Sequence, residues 1–218
     1  IRRREPLNRN FILHITSCSQ YERMNIEIEN YLTFYKNLVP NFTKKELEFI
    51  KPHLVFKTFR KNEIYLNQGQ VQKKLGFVSK GLLRQYYIDK NGKEITVRFT
   101  NENNFSTDYN AFIQQQSSNY YIKCLEQSTL VELEYKHIQE GYLKYKNYER
   151  FGRLIAEKIL IQRQKRIESF LFESAETRYL NFIKNHRNLF NRVSLTHLST
   201  YLGIERQSLS RIRKKISK

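Results

Sequence analysis

The sequence predicts an α+β chain: an N-terminal double-stranded β-helix (jelly roll), one long helix, and an all-α helix-turn-helix unit at the C-terminal end. Three observations predict it. Four of the seven glycines, Gly69, Gly76, Gly81 and Gly92, fall within 24 residues among short β-rich runs. Tyr135 to Leu171 contains no proline. Ser194 to Ile216 places leucine and isoleucine at helical intervals on both sides of Gly203. A length of 218 residues is enough for two folded units with a sizeable core.

The first 23 residues begin basic, "IRRREPLNRN", and their apolar piece "FILHI" is too short for a signal peptide. Met24 is the single methionine, so translation is expected to start there, with residues 1–23 an upstream extension; a basic arm that reinforces nucleic-acid contact is the alternative. Residues 24–145 form the expected first domain. In "NFTKKELEFI", Thr43 can cap a short helix whose Leu47 and Ile50, with Phe42, pack against the strand-rich segment beyond it. Residues 55–134 form the expected roll, because several short strands at close spacing with no helix between them imply two packed sheets. Within it "YYIDKNGKEITV" reads as a hairpin, since Asn91-Gly92 supplies positive φ at low cost.

From Tyr135 to Leu171 the chain reads as helix, with breaks expected at Gly141 and Gly152. Within it, Phe151, Leu154, Ile155, Ile159, Ile161, Ile167 and Leu171 make a broad apolar stripe. Residues 146–172 are therefore expected to be a dimerisation helix, since pairing with a second copy would bury that stripe. A further helix, "ETRYLNFIKNHRNLF", opens the last unit, residues 173–218.

Charge narrows the partner. The net charge is +18, and Arg178 to Lys218 holds ten Lys/Arg against the single Glu205, half of the excess in the final fifth of the chain. Such localisation suits an acidic partner. No run of about 18 apolar residues exists to span a bilayer, so a cytoplasmic protein with no membrane partner is expected. The histidines, at 14, 53, 137, 186 and 197, all lie outside residues 55–134, and Cys18 and Cys124 stand apart. Neither a metal-dependent roll enzyme nor a disulfide framework fits that pattern.

In "SLTHLSTYLGIERQSLSRIRKKI", Ser194 can cap the first helix, Gly203 can end it in the left-handed conformation, and Glu205 lies at the positive end of the second. At about 100° per residue from Arg206, the residues Gln207, Ser210, Arg211 and Lys214 fall between roughly 0° and 140°. Leu209, Ile212 and Ile216 fall at roughly 240–300°. A helix with donors on one side and aliphatic anchors on the other suits the major groove of double-stranded DNA, where arginine reads guanine, glutamine reads adenine and lysine neutralises phosphate. Ser194, Thr196 and Arg213 complete the candidate DNA-binding set.

The roll with "KKLGFVSKGLLRQYYIDKNGKEITVRF", the long helix and the C-terminal "YLGIERQSLSRI" resemble the Crp/Fnr family of bacterial transcription regulators over nearly everything after Met24. The resemblance implies a homodimer that reads DNA and contacts RNA polymerase. Its recognition pattern, Arg-Glu-x-x-x-Arg, falls on Arg206, Gln207 and Arg211, with Gln207 in place of the acid. A different half-site is expected, because a carboxylate accepts from cytosine whereas an amide pairs with adenine. The β-wing of many relatives is not expected here. Cyclic-nucleotide-binding relatives carry a Gly-Glu pair and an arginine where this chain reads "NNFSTDYNAFIQQQSSNYYIKCLEQS", which has neither. Lys123 could substitute but is expected on the solvent face of its strand. Two scattered cysteines cannot hold an iron–sulfur cluster. No cofactor is implied. The alternative function is an effector sensor whose roll binds a cyclic nucleotide or another small molecule.

Overall fold

The computed structural model describes residues 9–216, with side chains from Glu22 and from Met24 onward. The expected extension, residues 1–23, thus lies partly outside the described residues. A helix not anticipated from the sequence, α1 (Arg9–Leu38), runs to the first turn. Its Ile28, Tyr31, Leu32 and Tyr35 are buried at helical spacing, and Val39 just beyond it continues the set. The short α2 (Lys44–Ile50) comes next, capped by Thr43 as expected, and Glu46 returns the bond to make a reciprocal capping box.

Eight antiparallel strands then form the roll: β1 (Val55–Phe59), β2 (Ile64–Leu66), β3 (Lys74–Lys80), β4 (Leu83–Ile88), β5 (Glu94–Thr100), β6 (Asn104–Ser106), β7 (Tyr121–Cys124) and β8 (Ser128–Glu134). They make two four-stranded sheets, ordered β1-β8-β3-β6 and β2-β7-β4-β5. The expected limits of the roll, residues 55–134, match the first and last strand. The β4–β5 hairpin turns at Gly92, φ 77°, and Asp89 Oδ1 accepts from the N–H groups of Asn91 and Lys93. Helix α3 (Tyr109–Gln114) interrupts the roll between β6 and β7.

Between the sheets lie Phe59, Leu66, Val78, Leu83, Ile122, Cys124 and Leu130, with Tyr65 against them. The roll has little open interior at this point. A Cβ on Gly76 would stand 2.5 Å from the Tyr65 hydroxyl and 2.7 Å from Leu130, so glycine there lets the tyrosine ring lie inside. The outer face of the first sheet carries Phe77, Phe105, Val131 and Leu133 into a second core with α1. Tyr31 meets Phe77 edge-on at 5.0 Å between ring centroids.

Helix α4 (Tyr135–Lys144) leaves the roll and leads into α5 (Lys146–Phe172). The break falls at Tyr145, which is extended (φ −141°, ψ 123°). The expected breaks at Gly141 and Gly152 are not there: both glycines lie inside helices. Their small size serves packing, since a Cβ on Gly152 would collide with the Tyr142 hydroxyl and one on Gly141 would stand 3.2 Å from the Tyr148 ring. The stripe on α5 also divides. Phe151, Ile155 and Ile159 are buried within the chain, Phe151 stacking on Tyr35 at 3.7 Å, whereas Leu160, Ile161, Ile167 and Leu171 are exposed. Helix α1 supplies the cover for the first half.

The chain ends in α6 (Ala175–Asn185), α7 (Leu195–Leu202) and α8 (Arg206–Ile216). Their shared core joins Tyr179, Phe182, Leu189, Leu198, Leu202 and Leu209 to Leu82 of the roll. No described helix is long and apolar enough to cross a membrane.

Candidate nucleic-acid interface

Local chemistry sets the angle between α7 and α8. Ser194 Oγ accepts from the N–H of His197 and caps α7. Gly203 ends it at φ 67°, with its own N–H turned back to Ser199 and Thr200. A Cβ at Gly203 would stand 2.6 Å from Phe170, so this turn requires glycine both for its backbone and for its neighbour. Leu209 is fully buried and anchors α8.

The opposite side of α8 is open. Arg206, Gln207, Arg211 and Lys214 are exposed, and none of their side chains makes a hydrogen bond or ion pair among the described residues. Ser210 is half-buried beside them and Thr196 is exposed on α7. Two members of the expected set are used otherwise. Ser194 spends its oxygen on the cap. Arg213 turns inward, its guanidinium 5.3 Å from the Phe190 ring centroid and in a hydrogen bond with Tyr179. Ile216, an expected anchor, is 40% exposed because the packed core ends one turn before it.

The helical unit is held against the outer face of the second sheet. Arg192, in the turn before α7, donates to both oxygens of Glu102 and of Glu126. Thr96 of β5 and Thr200 of α7 share a 2.9 Å hydroxyl contact, and Thr96 also accepts from Arg84 at 2.8 Å. Arg84, 1% exposed, pairs with Glu94 and lies over the Tyr86 ring. His197 faces this layer; burial first, then the positive Arg84, pulls its imidazole down to about 4. Lys93 of the hairpin reaches Glu205, 3.2 Å away, at the start of α8. From the long helix, Arg166 donates to the Tyr201 carbonyl at 2.6 Å. The contacts that join the helical unit to the roll and to α5 are not legible in the sequence, since each joins residues far apart along the chain.

The segment where nucleotide-binding relatives hold a cyclic phosphate is closed on itself. Gln72 Nε2 donates to the carbonyls of Lys74 and Ser106, and its Oε1 accepts from the Thr107 hydroxyl and the Asp108 N–H. Ser118 donates to Asp108 at 3.0 Å. The Ser106 hydroxyl is the one buried polar side-chain atom without a partner among the described residues. A buried phosphate needs cationic or multiple donor partners, and the roll's arginines lie elsewhere: Arg60 is exposed, Arg84 faces α7 and Arg98 lies beneath α5. Lys123 lies near His197 on the outer face, away from the roll interior. These residues do not fit a cyclic phosphate.

The domain model described as "Cyclic nucleotide-binding domain" matches residues 56–145. No curated protein sequence matches the chain significantly. Among solved structures, FixK2 of Bradyrhizobium japonicum superposes with a TM-score of 0.67 at 12% identity, over 75% of this chain and 84% of its own. A transcriptional regulator of the Crp/Fnr family from Eubacterium rectale gives 0.66 at 15% identity, over 84% and 87% of the two chains. CLP of Xanthomonas campestris, a c-di-GMP responsive global regulator, gives 0.64 at 15% identity, over 80% and 92%. Residues 56–145 therefore match the cyclic nucleotide-binding domain family, and the chain has the fold of the Crp/Fnr transcription regulators.

Proposed function

We propose that the protein is a sequence-specific DNA-binding transcription regulator that acts as a homodimer, without an enzymatic activity and without a response to cyclic nucleotides. The observation that carries this reading is the open face of α8, where Arg206, Gln207, Arg211 and Lys214 stand exposed and unpartnered among the described residues on the side opposite buried Leu209. Arg206 and Arg211 would bond guanine O6 and N7, Gln207 would pair with adenine, and Lys214 would neutralise phosphate. Thr196, exposed at the start of α7, would contact the DNA backbone. RNA polymerase is the further partner this role implies.

The test is binding of the purified protein to genomic fragments, with titration of the recovered site. Arg206→Ala and Arg211→Ala should each weaken specific binding by about 1–3 kcal/mol and leave the dimer intact. Unchanged affinity in both variants would defeat the assignment. A sensing role for cyclic AMP or cyclic GMP makes the opposite forecast to ours in thermal unfolding, because ligand at 100 times its dissociation constant would stabilise by about 2.7 kcal/mol.

A further inference from the structure

The β4–β5 hairpin ends beside the corner between α7 and α8. β5 is the outermost strand of its sheet, and contacts on this side follow the corner in turn. Thr96 of β5 meets Thr200 at 2.9 Å, and Lys93, at the hairpin tip, meets Glu205 at 3.2 Å. Glu205 directly precedes Arg206 and Gln207, so the tip stands within one long side chain of the residues that would enter the groove. Its shape is fixed as well. The Asp89 N–H donates to the Lys93 carbonyl and the Gly92 N–H to the Asp89 carbonyl, while the Asp89 carboxylate accepts from the N–H groups of Asn91 and Lys93.

The free charge at this tip is positive. Lys90 and Lys93 are both exposed, and the Lys90 ammonium makes no hydrogen bond or ion pair among the described residues. The neighbouring acids are occupied: Asp89 by those backbone N–H groups, Glu94 by buried Arg84, and Glu102 and Glu126 by Arg192. That leaves Glu205, the one acid between Arg178 and Lys218. A carboxylate at the mouth of a groove walled by phosphates would repel them, and Lys93 offsets its charge.

We propose that the β4–β5 hairpin is a second DNA-contacting element, in which Lys90 and Lys93 grip the phosphate backbone that flanks the groove read by α8. The proposal rests on the reading of α8 given above and adds to it a sequence-independent contact supplied by the roll itself. Duplex DNA fits the tip better than an acidic protein surface, because the two lysines are continuous with the open face of α8 and one polyanion covers both. Since the tip belongs to the roll, the contact also makes DNA binding depend on how α7 is seated against β5.

The test is titration of the full chain on its recovered DNA site at several salt concentrations. In Lys90→Gln/Lys93→Gln the slope of log affinity against log salt should be less steep by about 2, so that the loss of affinity between about 50 and 200 mM salt shrinks by about tenfold. Discrimination against a site with one altered base should stay as it was, since phosphate contacts carry no sequence information. Lys44→Gln, on a side chain 91% exposed in α2 outside the other sheet, controls for net charge and should leave the slope alone. Glu205→Gln should bind at least as tightly as the unaltered protein, whereas a hairpin that only tethers α8 would give equal weakening in Lys93→Gln and Glu205→Gln. That equality overturns the proposal. So does an unchanged slope in the double variant while Arg206→Ala still weakens binding, an outcome that leaves the reading of α8 standing and the lysines to an acidic protein. Absence of DNA binding by the unaltered protein overturns the reading of α8 and this proposal with it.

Discussion

Arg192 and Glu102 form a two-pronged ion pair, Nη1 and Nη2 donating to the two carboxylate oxygens at 3.0 and 2.7 Å. The same guanidinium reaches Glu126 at 2.6 Å, so one arginine ties the helical unit to the roll at two points. Burial opposes ionisation of Glu102, but the hydrogen bonds from Arg192 outweigh it and hold the carboxyl below its usual range. A carboxylate depressed on folding contributes stability that is complete above its unfolded value, about 4.3, and is lost as pH falls through the folded one. Arg192→Ala is expected to cost about 1–2 kcal/mol, since the pair is partly solvated. Urea titration checks it; Glu102→Gln should also flatten the acid limb below about pH 4.

His197 loses stability in the same direction, as pH falls, but over a higher range. Its folded value lies at about 4 through burial and then Arg84, against about 6.5 when unfolded. The neutral ring is therefore the folded form, and stability is complete above about pH 6.5 and declines between about pH 6.5 and 4. His197→Gln should remove that decline while leaving the glutamate-linked loss below it. A ring C2 proton that already titrates near pH 6.5 in the folded protein would contradict the buried placement of this face.

Much of this was legible in the sequence, and the failures have physical reasons. The roll limits, the Thr43 cap, the Asn91-Gly92 turn and the α7–α8 corner each rest on residues within a few positions of one another, where turn and cap chemistry decides the outcome. Helix α1 is not evident from the sequence, although Ile28, Tyr31, Leu32, Tyr35 and Val39 recur at helical spacing; the β-branched and aromatic residues of "NIEIENYLTFY" mask it. Gly141 and Gly152 suggest breaks because glycine weakens an isolated helix, while tertiary packing against Tyr148 and Tyr142 explains them better. On α8 the helical periodicity separates the open side from Leu209. It cannot show that Arg213 turns to Phe190, a ring more than twenty residues earlier.

Gly203 is the point where the corner is least tolerant. Gly203→Ala must hold a left-handed backbone, worth about 1–2 kcal/mol, and must also displace Phe170, 2.6 Å from the new Cβ. We expect a lower urea midpoint by at least that amount. We also expect weaker DNA binding, because Phe170 carries Arg166 and Arg178 over its ring and both arginines tether α7. Unchanged stability would show that the turn relaxes without glycine.

The exposed half of α5 makes the last forecast. Leu160, Ile167 and Leu171 are 68%, 55% and 69% exposed. Spaced seven and eleven residues apart, they lie within about 20° of one line along the helix. The buried half of the same helix is already occupied by α1 and the roll, so this second line is available to a partner. A second copy of α5 offers the same line in return, and two helices packed along it would carry two DNA-reading units on one body. Ile167→Glu puts a charge into that seam and should convert a dimer to a monomer in sedimentation experiments, with loss of binding to a two-fold site and retention of the fold. A monomeric unaltered protein, or a dimer indifferent to Ile167→Glu, would place the contact elsewhere and leave the exposed line without its assigned partner.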